Sequence, residues 1–206
     1  MNIAVFGSTG GNGRLILAEA IRRGHAVTAF ARRPEALAGV TGLAAVVEGD
    51  GRDLTAAGQA VAGQHAVIMT VSARGEPGAS TAIARAVVAA MAAEGVKRLI
   101  ATSAYGMIAT RPYVLAPLVR RAFRSVFADQ AAADRVIEAS ELDWTILRAT
   151  RLTSKPAGRP PRLSAQLFAH GPYSLPRSAY ASALVDLAEN GAHGRHVINI
   201  TGGTDV

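Results

Sequence analysis

The residues with the clearest chemical potential form a glycine-rich segment near the start of the chain. It reads Gly7-Ser8-Thr9-Gly10-Gly11-Asn12-Gly13, between a short apolar run and a longer alanine-containing one. Gly7 would let the chain turn sharply, Gly10 would let the backbone approach a pyrophosphate, and Gly13 would let the next helix lie close to the sheet. The amino end of that helix would offer N–H groups to phosphates. The spacing therefore predicts a dinucleotide site. No Gly-Lys-Ser/Thr follows, so the segment is not a P-loop.

The ends of the second and third predicted strands indicate which dinucleotide binds. The first of these ends reads Phe30-Ala31-Arg32-Arg33-Pro34 and contains no acid. A carboxylate there would repel a 2′-phosphate, whereas a guanidinium can bind it through two hydrogen bonds. We predict NADPH over NADH, with Arg32 as the main contact and Arg33 as an auxiliary one; two merely solvated arginines are the alternative. Asp50, after the third strand, could accept a hydrogen bond from the adenine amine.

Short β-branched runs alternate with longer alanine-rich stretches along the whole chain. The runs are almost continuously apolar, as strands are in a sheet that is covered on both faces. Strand–helix–strand repeats imply right-handed crossovers, so we predict an α/β fold with a doubly wound parallel sheet, in a single NAD(P)-binding Rossmann-like domain over residues 1–206. The predicted strands are 3–6, 26–30, 44–48, 66–70, 98–102, 144–147 and 196–200, and the predicted helices are 13–23, 54–61, 81–93, 118–140 and 179–189.

Two segments stand out from this alternation. The predicted helix 118–140 has one apolar stripe, with Arg120, Arg121 and Arg124 off it or at its margin. This charged side is either simply solvated or a surface that binds anions. The segment 154–176 holds five prolines and has little periodicity. A long loop in a compact domain is usually functional, so we predict that the loop at about 151–177 forms a wall or lid over a substrate site.

Composition excludes several classes of protein. The 206 residues include no cysteine, which removes disulfides, thiol nucleophiles and iron–sulfur clusters. The formal charge of +7 favours anionic small molecules, but the basic residues are dispersed and no nucleic-acid motif occurs. His193 and His196 lack a third ligand, so we predict no metal site. The start of the chain reads as a strand and no apolar stretch is long enough to span a bilayer, so we expect a cytoplasmic protein without a membrane partner.

The chain resembles the atypical short-chain dehydrogenases with NmrA-like Rossmann domains, and within them the flavin reductase/biliverdin reductase B branch. The resemblance covers about residues 2–200. It is carried by the glycine motif, Arg32, Gly49-Asp50, Arg74, Ala101-Thr102-Ser103-Ala104 and Leu142-Asp143-Trp144-Thr145-Ile146-Leu147-Arg148. It implies a nicotinamide cofactor and a shallow substrate site at the carboxyl ends of the strands, with Ser103 beside both. The cofactor contacts that it implies are Gly7, Thr9, Gly10, Asn12, Arg32, Asp50, Gly51, Val71, Ser72, Arg74, Thr102 and Thr150.

The chain departs from this family at residues that matter for catalysis. Carbonyl-reducing members use Tyr-x-x-x-Lys, in which the lysine lowers the pKa of the tyrosine. Here Tyr105 is followed four residues later by Ala109, and Tyr113 by Pro117. Two histidines of the flavin reductase branch correspond to Gln130 and Arg151. The sequence therefore gives little support to alcohol–ketone interconversion.

Reduction of a flavin, a quinone or a similar conjugated acceptor does not require these missing residues. The ring delocalises the charge that hydride brings, and water can supply the proton, so proximity and orientation are the main requirements. Ser103 would donate a hydrogen bond to the ring; the alternative is a hydroxyl that only bonds to the backbone at a strand end. Tyr105 would form a wall of the substrate site or stack on the substrate; the alternative is that it only packs in the interior. Arg74, Arg111 and Arg151 would favour an anionic acceptor. A different class of function also fits, namely an NmrA-type regulator that senses the redox state of NAD(P) without turnover.

Overall fold

The strands form a central sheet in the computed structural model, which describes residues 1–71, 76–111, 113, 115–191 and 193–203. The strands of the sheet are β1 (Asn2–Phe6), β2 (Ala26–Ala31), β3 (Ala45–Glu48), β4 (Ala66–Met69), β5 (Arg98–Ala104), β6 (Asp143–Ala149), β8 (Arg162–Ser164) and β10 (His196–Thr201). Their order is β3-β2-β1-β4-β5-β6-β10-β8, and every pairing is parallel except that of β8 with β10. The strand order reverses between β1 and β4, and such a reversal opens a crevice at the carboxyl ends of the strands.

Helices cover both faces of this sheet. On one face lie α1 (Gly11–Arg22) and α6 (Arg177–Asn190), and on the other lie α2 (Leu54–Val61), α3 (Ala79–Ala93) and α5 (Arg124–Glu138). Alternate side chains of β1 enter the two cores: Ile3 packs into one and Phe6 into the other, and neither is exposed. This two-sided burial explains the continuous apolar runs, and the predicted α/β fold with a doubly wound parallel sheet is confirmed. None of the helices in the described ranges is both long and apolar enough to cross a membrane.

The prediction of one helix over 118–140 was wrong. The structure has two helices, α4 (Leu115–Ala122) and α5, separated by Phe123, whose φ of −108° and ψ of 22° are not helical. The Phe123 N–H still bonds to the Val119 carbonyl, and the Phe123 carbonyl accepts from the Phe127 N–H. Because the hydrogen bonds on both sides of the break keep helical spacing, the apolar periodicity continues through it. A pattern of residue types therefore could not show this kink.

The proline-rich segment contains short strands that the sequence did not reveal. Strand β7 (Arg151–Thr153) pairs in parallel with β9 (Ser174–Pro176), and β8 extends the edge of the main sheet. Leu175 of β9 is fully buried in the same core as α1 and α6. These three-residue strands are too short to give a period-two pattern. The segment is thus attached to the domain at several points.

Candidate functional site

The turn between β1 and α1 is closely packed against its neighbours. Gly7 has a φ of +80°, and a Cβ there would collide with the carbonyl oxygen of Thr70 after β4. A Cβ on Gly13 would collide with the Gly7 carbonyl oxygen, so α1 approaches the turn as closely as two backbones can. Ser8, fully buried, donates from Oγ to the Phe30 carbonyl at 2.7 Å and ties the turn to β2. This role of Ser8 was not predicted, because a serine in a glycine-rich turn does not reveal which carbonyl its hydroxyl will reach.

The amino end of α1 carries groups with no partner among the described residues. Gly10 is the N-cap residue, and no side chain caps the helix, so its first N–H groups are available to a ligand. Asn12 Oδ1 is buried and accepts no hydrogen bond in the described part of the chain. Free N–H groups at a helix amino end bind phosphate oxygens, and a buried carbonyl oxygen requires a donor. This end of α1 therefore fits a phosphate-bearing ligand that also supplies N–H or O–H groups.

A cavity of about 310 Å³ lies on one side of this turn. Arg32 and Arg33 line it from the end of β2, as the sequence predicts for the adenosine end of a dinucleotide. Residues from the ends of β1, β3 and β4 line the same cavity. The predicted contacts that line this cavity are Gly7, Thr9, Gly10, Arg32, Arg33, Asp50, Gly51 and Val71.

An ion-paired group that was not predicted from the sequence also lines this cavity. Arg52 donates to both oxygens of Asp50, from Nε at 2.9 Å and from Nη2 at 2.6 Å, and it reaches Glu76 at 3.1 Å. The hydrogen bonds from Arg52 lower the pKa of Asp50 to about 2. Asp50 thus meets a ligand as a carboxylate that is already bound to a guanidinium. The Gly-Asp-Gly-Arg sequence contained the pair, but two-residue spacing outside a helix or strand does not predict one.

A second cavity, of about 630 Å³, lies on the other side of the turn. Gly10, Thr70 and Val71 line both cavities, so together the cavities form one groove along the carboxyl edge of the sheet. The predicted residues that line the second cavity are Gly10, Asn12, Gly13, Val71, Thr102, Ser103, Thr150 and Arg151. The remaining predicted contacts, Ser72 and Arg74, lie outside the described residues.

Ser103 belongs to a buried polar network in this second cavity. Its Oγ donates to Asp134 Oδ2 at 2.8 Å, and Arg148 Nη2 reaches the same oxygen at 3.2 Å. Gln130 Nε2 bonds to Asp134 Oδ1 at 3.1 Å and to the Thr102 carbonyl at 3.3 Å. The predicted donation from Ser103 to a substrate ring therefore needs correction, because its proton is directed at Asp134. Asp134 was not predicted as a site residue, although an acid next to the apolar stripe of α5 was an available signal.

Tyr105 lies apart from both cavities. It is 3% exposed, its hydroxyl accepts a hydrogen bond from the Phe168 N–H at 2.8 Å, and its ring lies against the Phe168 ring at 5.4 Å. Burial raises the pKa of Tyr105. The prediction that this ring walls or stacks the substrate is thus corrected: Tyr105 fastens the 154–176 segment to the end of β5. The alternative interpretation of Tyr105, that its ring packs in the interior, agrees with the structure.

Arg111 and Tyr180 have hydrogen-bond partners within the domain, whereas Arg151 is exposed. Arg111, predicted to attract an anionic acceptor, bonds to the Ala169 carbonyl at 3.3 Å and lies over the Tyr113 ring at 4.9 Å. Arg151 is exposed at the wall of the second cavity. Tyr180 also lines that cavity, but its hydroxyl donates to the Leu147 carbonyl at 2.8 Å, and burial raises its pKa. Arg177 also lines that cavity but donates to Ser154 Oγ at 3.1 Å, so Arg151 is the cation better placed to meet a ligand there.

Comparison with known proteins agrees with this architecture. A family model described as NAD(P)H-binding matches residues 7–191. ChuY, an anaerobillin reductase from Escherichia coli O157:H7, is 22% identical, with a TM-score of 0.85 over 100% of this chain and 99% of that one. A short-chain dehydrogenase/reductase from Veillonella parvula in complex with NADP is 21% identical, with a TM-score of 0.82 over 97% and 94%. A Rossmann-fold NAD(P)-binding family protein from Shigella flexneri is 25% identical, with a TM-score of 0.76 over 100% and 97%.

Proposed function

The chain belongs to the NAD(P)H-binding family, and we propose that it is a reductase that passes hydride from NADPH to a flavin, a quinone or a related conjugated acceptor. The observation that carries the proposal is the groove formed by the two cavities. Arginines line one end of it, the glycine turn lies at its centre, and the Ser103 network lies at the other end. A dinucleotide has the same division into two nucleoside halves and a central pyrophosphate.

The pyrophosphate would lie against the amino end of α1, where backbone N–H groups and the helix dipole favour anions. The collisions that a Cβ would cause at Gly7 and Gly13 support this placement, since they show how closely the turn and helix are packed. Asn12 Oδ1, buried without a partner among the described residues, would accept a hydrogen bond from the cofactor. The adenosine half would occupy the first cavity and the nicotinamide half the second.

We place the cofactor preference with Arg32. Its side chain lines the first cavity beside Arg33 and makes no hydrogen bond within the described part of the chain. Asp50, by contrast, is bound to Arg52 and offers a ribose fewer free lone pairs. A free guanidinium at the end of β2 favours a 2′-phosphate over a 2′-hydroxyl. The site therefore favours NADPH.

The second cavity supports a conjugated acceptor more than a ketone. Its volume of about 630 Å³ suits a planar ring ligand beside a nicotinamide. The phenol that lines its described wall, Tyr180, donates to a backbone carbonyl, and Ser103 donates to Asp134. When bound, NADPH supplies the hydride; the side chains orient the acceptor, and water supplies the proton that completes the two-electron reduction. The transfer converts NADPH to NADP⁺.

The test is NADPH oxidation, followed at the nicotinamide absorbance band, with FMN, FAD, a simple quinone and a redox dye. We expect protein-dependent, saturable oxidation with at least one acceptor. Ser103→Ala should slow it, whereas Ser125→Ala, an exposed serine on α5, should not. NADPH binding without oxidation above the protein-free rate would contradict the reductase and favour the redox-sensing regulator.

A further inference from the structure

The buried carboxylate of Asp134 lies beside the second cavity and has no role in the hydride transfer that we propose. Asp134 is 2% exposed and receives three hydrogen-bond donors: Ser103 Oγ, Arg148 Nη2 and Gln130 Nε2, at 2.8, 3.2 and 3.1 Å. Ser103 and Gln130 also line the second cavity. A buried carboxylate with a cation and two neutral donors is a fixed feature of a site, because loss of the cation leaves an unpaired buried charge and loss of a neutral donor removes a hydrogen bond from a buried carboxylate.

The direction of the hydrogen bonds follows from the chemistry of the groups. A carboxylate paired with a guanidinium only accepts, so the Ser103 hydroxyl must donate to it. The Ser103 oxygen then presents lone pairs, and no proton, to the cavity. The Gln130 N–H₂ group is also occupied, by Asp134 and by the Thr102 carbonyl. Turning the Ser103 proton toward a ligand would remove one donor from the buried carboxylate, which is costly.

A second acceptor oxygen lines the same cavity. Asn12 Oδ1 is buried and has no hydrogen-bond partner among the described residues. Its position at the start of α1 is independent of the Asp134 network on α5 and β6. Ser103 Oγ and Asn12 Oδ1 therefore add two hydrogen-bond acceptors to a wall that also carries the guanidinium groups of Arg151 and Arg177. A ligand N–H group can bond to these two oxygens, whereas a quinone, which carries only carbonyl oxygens, cannot bond to them.

We propose that Asp134 is a positioning residue that holds the Ser103 hydroxyl as a hydrogen-bond acceptor, so that this end of the groove selects a ring or amide presenting an N–H group. The inference rests on the proposed function and narrows its acceptor class toward imide- and lactam-bearing rings such as flavins. The N–H group has two available sources. One is the carboxamide of the nicotinamide, and the other is the acceptor ring itself.

Calorimetry with matched ligand pairs tests the proposal and distinguishes the sources. The cofactor pair is NADP⁺ and its 3-acetylpyridine analogue, which keeps the carbonyl but lacks the carboxamide N–H₂. The acceptor pair is lumiflavin and N3-methyl-lumiflavin, titrated in the presence of NADP⁺. We expect wild type to bind the N–H-bearing member of one pair about fivefold more tightly, as one net hydrogen bond gives. Ser103→Ala should abolish that preference, and Ser103→Thr, which keeps the hydroxyl, should retain it.

The role of Asp134 is tested by a double-mutant cycle on the same ratio. Asp134→Asn should reduce the preference in the wild-type background and leave it unchanged in Ser103→Ala, because it acts through Ser103. A merely structural role would weaken both members of a pair equally and leave their ratio intact. Thermal unfolding of each variant identifies losses that are due to folding, and Ser125→Ala is the control.

Each result decides the proposal. A preference that survives Ser103→Ala, or a wild type that discriminates in neither pair, overturns it while leaving the reductase proposal intact if NADP⁺ still binds. Absence of NADP⁺ and NADPH binding overturns the proposed function and this inference with it.

Discussion

At the scale of the residue, many arginines are bound to carboxylates or to backbone carbonyls, whereas Arg32 is available to a ligand. Arg23, Arg52 and Arg148 each pair with acids. Arg32 donates no hydrogen bond in the described part of the chain, although it lines a cavity beside a glycine turn. The side chains that the fold leaves unbound therefore indicate the site more clearly than the overall charge of +7 does.

Arg32→Ala should weaken NADPH binding without affecting NADH. Loss of a charge-assisted hydrogen bond to the 2′-phosphate costs about 2 kcal/mol, or roughly thirtyfold in Kd. Calorimetric titration with both cofactors measures this, and Arg121→Ala, which removes an exposed arginine on α4, is the control. An equal loss of affinity for NADH and NADPH would show that Arg32 does not recognise the phosphate.

At the scale of the element, the contact between the glycine turn and α1 determines the shape of the groove. The two glycines of the helix start differ sharply: a Cβ on Gly13 would collide with the Gly7 carbonyl, whereas one on Gly11 would meet nothing within 4 Å. The same helix thus offers, two residues apart, one substitution that disrupts its packing and one that its packing accommodates.

Gly13→Ala should destabilise the protein by about 2–4 kcal/mol and abolish NADPH binding, because α1 must move away from the turn. Gly11→Ala should be neutral or stabilising by up to about 1 kcal/mol, since alanine favours helix. Urea unfolding and calorimetry measure the two effects. Similar behaviour of the two variants would contradict the close packing of helix and turn.

The attachment of the 154–176 segment gives a second prediction at this scale. Tyr105→Phe removes the acceptor of the Phe168 N–H and should cost about 1–2 kcal/mol of stability, while the rate of hydride transfer should change less than about twofold. Tyr113→Phe, at a tyrosine that is 69% exposed, is the matched control for unfolding. A large loss of turnover with unchanged stability would restore Tyr105 to the catalytic site.

The packing of α1 against α6 should make stability depend on pH. Glu19 accepts hydrogen bonds from Arg22 and Arg23, and Arg23 also pairs with Asp186 and Glu189 of α6. The hydrogen bonds, that of Arg22 first, outweigh burial and lower the pKa of Glu19 from 4.5 to about 2. A lowered folded-state pKa stabilises the protein above about pH 4.5, and this contribution disappears as the pH falls toward 2.

Glu19→Gln should therefore reduce stability at pH 6 by about 1–3 kcal/mol and make it less dependent on pH between 5 and 3. Urea unfolding at several pH values measures this, with Glu138→Gln, at an exposed position on α5, as the control. If wild type and Glu19→Gln lose stability in parallel as the pH falls, the ion pairs of Glu19 do not contribute as described.

At the scale of the whole molecule, the sequence predicted the strand ends better than the side-chain partners. Glycine spacing and apolar runs identified the groove, because both are local patterns tied to backbone geometry. The direction of the Ser103 hydroxyl, the pairing of Asp50 with Arg52 and the burial of Tyr105 depend on residues distant in the chain or on loop conformation. The break at Phe123 was not predicted, because the apolar residues keep helical spacing on both sides of it.

The central claim is that a dinucleotide lies across the glycine turn with its 2′-phosphate at Arg32. Calorimetric titration of the wild-type protein with NADPH, and in parallel with NADH, tests it most directly. We predict saturable binding of one NADPH per chain, with at least tenfold weaker binding of NADH. No heat of binding with either cofactor at millimolar concentration, or tighter binding of NADH, would contradict the claim.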